Sequence, residues 1–143
     1  MAEKRTGAST SNPGAVDDAA AFRQLLDTSP PAVREIVEAL DALVRRIDPD
    51  VVQVVWTHQR TVGYGVGPRK LTEHYAYLDV YARHVNLGFN EGALLHDAGG
   101  VLSGPGARFR SVKVTDAGQA ADERLADLLR AARALRLGEL GRA

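Results

Sequence analysis

Two short loops carry the residue types best suited to hold an anion. Gly65-Val66-Gly67-Pro68-Arg69-Lys70 and Gly104-Pro105-Gly106-Ala107-Arg108-Phe109-Arg110 each set glycines beside bases. Glycine lets successive backbone N–H groups turn into a shared concavity, and a neighbouring base adds charge. Arginine also grips a carboxylate or phosphate through two parallel hydrogen bonds. The same composition equally serves two tight turns with solvated bases at their edges. Neither loop has the spacing of a Walker loop or a dinucleotide fingerprint. A second feature is the alternating run at residues 75–81, which would set Tyr75, Tyr77, Asp79 and Tyr81 on one strand face. Tyrosine joins an apolar body to a polar tip, which suits a binding surface or a sheet face under a helix. An aspartate among rings needs a partner, from a tyrosine hydroxyl or an arginine. These features predict one site between residues 56–70, the tyrosine face and residues 104–110. Trp56, Tyr64 and Tyr77 would form its apolar walls, and Arg69, Lys70, Arg108 and Arg110 would hold an anionic group.

Other chemistry finds less footing. The chain has no cysteine. That excludes disulfides, thiolate zinc sites, cysteine-ligated clusters and a cysteine nucleophile, and it fits a reducing cytoplasm. Of the four histidines, His58, His74, His84 and His96, no two stand at the i, i+4 spacing of a zinc-binding helix. His74 and His84 flank one strand region and can converge only in space. Glu35, Glu38 and Asp41 recur three apart on a predicted helix. Such an acidic ridge offers carboxylates to a hard cation such as Fe²⁺. Arg34 and Arg45 stand four residues from Glu38 and Asp41 and can neutralise them. Ser103 lies in a Gly-rich loop with no base near it in sequence, and no nucleophile elbow occurs. No catalytic residue is named, and the chain reads as a binding domain sooner than an enzyme.

The positioning elements follow from periodicity. At 143 residues the chain fits one domain. Residues 1–15 read as a disordered tail, and residues 16–140 as a single α+β domain. Asp17 or Asp18 caps a short helix carrying Phe22, Leu25 and Leu26. Ser29 caps a longer one whose stripe is Val33, Ile36, Val37, Leu40, Leu43, Val44 and Ile47. Residues 51–56 read as a strand buried on both faces, because they are β-branched and almost wholly apolar. Residues 61–66 follow as a strand or extended loop, residues 75–81 and 85–89 as an antiparallel hairpin, and residues 108–114 as a last strand. Asp116 would cap a C-terminal helix with the stripe Leu125, Leu128, Leu129, Ala132 and Leu135, ended by Gly138. Contiguous strands between terminal helices give an α+β fold: two N-terminal helices, a largely antiparallel twisted sheet of four to five strands, and a C-terminal helix packed on one face.

Charge narrows the partners. Eighteen bases balance eighteen acids. Residues 51–113 hold seven bases (Arg60, Arg69, Lys70, Arg83, Arg108, Arg110, Lys113) against four acids (Glu73, Asp79, Glu91, Asp97). That excess is thin for a nucleic-acid binder and sufficient for a small anion. No apolar run approaches the roughly 20 residues of a membrane span. The expected partner is a small anionic molecule or a protein, with neither membrane nor nucleic acid; the oligomeric state stays open, homodimer included.

Several segments resemble one bacterial family. They are Gly63-Tyr64-Gly65-Val66-Gly67-Pro68-Arg69-Lys70, Glu73-His74-Tyr75, His84-Val85-Asn86-Leu87-Gly88-Phe89, and the run from Gly100 through Arg110. With the helix before the tryptophan strand and the last helix, they resemble the domain of unknown function 1801 (YdhG-like) family over most of residues 20–135. The resemblance implies a compact frataxin-like α+β fold. It also implies an alternative function, an intracellular iron chaperone for iron–sulfur or haem assembly, with iron as the cargo.

Overall fold

The computed structural model describes residues 18–97 and 99–142. The tail expected over residues 1–15 and the candidate cap Asp17 lie outside them. Helices α1 (Ala19–Asp27) and α2 (Pro31–Ile47) lead into strands β1 (Val52–Trp56), β2 (Thr61–Gly65), β3 (His74–Val80), β4 (Val85–Phe89) and β5 (Arg110–Val114). Helix α3 (Glu123–Glu139) closes the fold. The sheet runs β1 to β5 in chain order with every pair antiparallel. The α+β class, the strand number and the placement of the helices match the sequence expectation.

One face of the sheet is the core. Val62, Leu78, Leu87 and Val112 stand opposite one another across four strands, and all are buried. Onto them α2 lays Val33, Ile36, Val37, Leu40, Leu43 and Val44, each buried. Burying one such side chain stabilises by about 1.5–3 kcal/mol, so this stripe fixes where α2 sits. From α3 come Leu125, Ala126, Leu128, Leu129 and Ala132, and next Arg136. Leu135, expected in that stripe, is only half-buried. Four residues after Ala132, Arg136 takes the inward place, and its buried guanidinium donates from Nε to the His74 carbonyl at 2.8 Å.

Two tyrosines pin α2 to the sheet. The Tyr64 hydroxyl donates to Asp41 at 2.8 Å, and the Tyr75 hydroxyl donates to Asp48 at 2.8 Å. Tyr75 therefore points into the core and away from Tyr77. Its register explains this: Tyr64 faces Ala76 but Gly65 faces His74, so β3 carries one extra residue at a bulge. Strict alternation fails there. Tyr81 lies past the strand end, where its ring stacks on His84.

Several local expectations shift. β1 is an edge strand, with Val52, Val55 and Trp56 half-buried, because an apolar run alone cannot tell a central strand from an edge. Asp18 stands at the N-cap of α1, yet its carboxylate accepts from the Val55 N–H at 2.7 Å. Ser29 closes α1 by donating to the Leu25 carbonyl at 2.6 Å, and Pro30 holds the N-cap of α2. Asp116 caps a 3₁₀ turn at Ala117–Ala121, while Asp122 caps α3. The last strand begins at Arg110; before it, Ser103 makes a single bridge to Ser111. Gly138 lies within α3, and Gly141, with φ of 71°, turns the chain out. No helix among the described residues is long and apolar enough to cross a membrane.

Candidate functional site

The sheet face opposite the helices carries a groove of about 230 Å³, lined by Trp56, Thr61, Gly63, Lys70, His74, Tyr77, Asp79, Asn90 and Phe109. Two rows of the register form its floor. Trp56, Thr61 and Asp79 make one, and Val54, Gly63, Tyr77 and Gly88 make the next. Gly63 and Gly88 flank Tyr77 within its row. A Cβ at Gly63 would stand 2.6 Å from His74 Nδ1 and 2.8 Å from the Trp56 ring. A Cβ at Gly88 would stand 2.0 Å from Tyr77 Cζ. The absent side chains let three rings lie down on the sheet. Trp56 meets His74 edge-on at 5.7 Å, and Tyr77 meets Phe109 edge-on at 6.1 Å.

The bulge brings His74 onto this face. Its backbone is fixed from behind by Arg136, and its side chain is almost fully buried. Burial, then the charges of Lys70 and Arg136, push the imidazole down to about 4 against a weaker pull from the Pro68 carbonyl. It is neutral at pH 7. Its Nε2 is buried and has no hydrogen-bond partner, and the same holds for Oδ1 of the buried Asn90. Buried polar atoms without partners are few in folded proteins, and each costs about 1–3 kcal/mol. Of the four such atoms among the described residues, these two belong to residues lining the groove, and the others, Arg133 Nε and Arg136 Nη2, lie on α3.

Charge sits at two places in the groove. The Lys70 ammonium lies 5.2 Å from the Trp56 ring centroid, a cation–π contact. Glu73 folds the loop that carries it: its carboxylate accepts from the Arg69 N–H at 3.0 Å, and its own N–H donates to the Arg69 carbonyl at 2.8 Å. Among the described residues Lys70 pairs with no carboxylate. Asp79 accepts from the Thr61 hydroxyl at 2.8 Å, so its partner is neither a tyrosine nor an arginine. Burial, then Asp79 and Tyr81, raise the Tyr77 phenol above its ordinary value, so it stays protonated.

Of the seven residues expected at the site, the fold brings Trp56, Lys70 and Tyr77 together. Tyr64 is fully buried on the helix side. Arg69 is exposed on the Lys70 loop, outside the groove lining. Arg108 is held by Glu91, with Nε donating at 3.2 Å. Arg110 shares the helix-side parity of Val112 and Val114, and its guanidinium donates to the carbonyls of Gly106 and Phe109. The Gly104–Gly106 turn therefore consumes its own arginine. Thr61, Gly63, Asp79 and Phe109 also line the groove from within the expected segments, and two further lining residues, His74 and Asn90, lie outside those segments. The alternating glycines of Gly63-Tyr64-Gly65 were the available signal, since glycine on one strand face marks a close approach there.

The acidic ridge disperses. Glu35 and Glu38 are exposed, while Asp41 turns to Tyr64, Gln53 and Arg45. Arg34 bonds the Leu26 and Ser29 carbonyls, leaving Glu38 aside. Among the described residues no three His, Asp or Glu side chains gather closely enough to hold a metal ion. No protein-family model matches the chain, and no curated protein or solved structure does.

Proposed function

We propose that this chain is a small-ligand-binding domain whose ligand seats in the open-face groove. The ligand has a planar body and an oxyanion or strongly accepting group directed to Lys70. The observation that supports this reading is the pair of unpartnered buried atoms, His74 Nε2 and Asn90 Oδ1, in side chains that line a groove beside Lys70, which among the described residues meets no carboxylate. Trp56 and Tyr77 supply the apolar walls. A binding role fits better than a catalytic one, because an imidazole held near 4 lies far below the range of a general base at neutral pH. Iron carriage has no comparable support among the described residues.

Trp56 is the only tryptophan, so its fluorescence reports the groove directly. Titration with a panel of benzoate, nicotinate, uracil and hypoxanthine should quench or shift that emission with at least one of them. Lys70→Met keeps the stem over the ring and removes the charge. It should weaken binding by about 5- to 30-fold, the size of one charge-assisted contact of about 1–2 kcal/mol. Equal binding by the Lys70→Met variant, or no response to any probe, would sink the reading.

A further inference from the structure

We infer that the groove takes a single heterocycle of the nucleobase type, bearing ring N–H and C=O groups, in preference to a simple aromatic acid. The inference rests on the binding reading above and adds the ligand's chemistry.

Size sets the first limit. A volume of about 230 Å³ falls below the roughly 300–1,000 Å³ of pockets that enclose drug-sized molecules. The groove holds one ring system, and anything larger would extend beyond it. Spacing sets the second. Trp56 and Tyr77 belong to strands two apart, so their backbones stand roughly 9.5 Å from each other. Between them lies Gly63, and the Trp56 and His74 rings fill the space its side chain would take. The groove is thus walled by rings, against which one flat ring can stack.

The polar groups then choose among flat rings. Asn90 Oδ1 and the Asp79 carboxylate are acceptors and call for donors on the ligand. Lys70 is a donor and calls for an acceptor. His74, neutral, directs its one N–H to the Pro68 carbonyl, so its remaining nitrogen is an acceptor and also calls for a donor. An aromatic acid answers Lys70 alone, leaves Asn90 Oδ1 unmet, and brings a second carboxylate toward Asp79. A ring that carries both N–H and C=O answers both ends. Lys70 and Asp79 cancel in charge, so a neutral ring meets no electrostatic penalty.

Calorimetric and Trp56-fluorescence titrations of the full chain test this with four probes: uracil, hypoxanthine, dimethyluracil with both ring N–H groups methylated, and benzoate. Uracil or hypoxanthine should bind at least about tenfold more tightly than dimethyluracil and benzoate, because a polar site rejects analogues that cannot pair with it. Asn90→Leu, which removes the acceptor, should weaken uracil or hypoxanthine binding by about tenfold, whereas Asn90→Asp, which keeps an acceptor in nearly the same shape, should not weaken it, with thermal melts showing that each variant folds. Benzoate binding as tightly as the heterocycles, or dimethyluracil matching uracil, would overturn the inference and leave the binding reading intact. Silence from all four probes would overturn both.

Discussion

Acidification removes stability through His74. Burial, Lys70 and Arg136 hold its pKa near 4, against 6.5 for the free side chain. Between those values the unfolded chain binds a proton that the folded domain refuses. Stability therefore rises with pH across this window, and it is lost as pH falls from about 6.5 toward 4. At about 1.4 kcal/mol per tenfold, the whole window is worth about 3 kcal/mol, and about 2 kcal/mol is gone by pH ~5. In a domain of this size that lowers Tm by about 6–10 °C. Glu91, held below its ordinary carboxylate range by Arg108, acts only lower in pH, as it begins to protonate. Urea unfolding at a series of pH values between about 7.5 and 5 measures the slope for the wild type and for His74→Gln. The variant is less stable throughout but should show a nearly flat profile in this window. A variant that keeps the wild-type slope would refute the assignment, since some other group would then be taking up the proton.

Two substitutions separate the faces of the sheet. Tyr64→Phe deletes a hydroxyl that donates to Asp41 on the helix side; it should cost about 1–2 kcal/mol in chemical denaturation and leave ligand titrations unchanged. Gly88→Ala places a methyl where the Tyr77 ring now lies. Overpacking there should cost about 1–3 kcal/mol, and the displaced ring should abolish the Trp56 fluorescence response while far-UV circular dichroism stays native.

The elements that packing dictates were plain in the sequence. Seven apolar residues at helical spacing in residues 33–47 admit only one inward face for α2, and the alternation of Val85, Leu87 and Phe89 admits only one for β4. The site was less legible because a single extra residue decides it. The period-two pattern puts Tyr75 beside Tyr77, but the bulge opposite Gly65 sends Tyr75 to Asp48 and His74 to the groove. No composition rule locates such a bulge. The arginines misled for a related reason. Charge excess is visible in sequence, but its local neutralisation is not: Arg108 finds Glu91 seventeen residues away, and Arg110 finds the carbonyls of its own turn. Among the described residues Lys70 meets no carboxylate, since Glu73 is occupied with the backbone of its loop and with Arg142.

Asp18 bears on more than the start of α1. A strand on the rim of a sheet shows unpaired N–H and C=O groups to any passing chain and so templates aggregation. On the β1 rim, the Asp18 carboxylate occupies the Val55 N–H and sets a negative charge against the backbone. On the opposite rim, the Ser103 bridge occupies Ser111 of β5. Each free border of the meander thus carries its own local guard, one a side chain and the other a single bridge. These guards hinder growth of the sheet by edge-to-edge addition at either border.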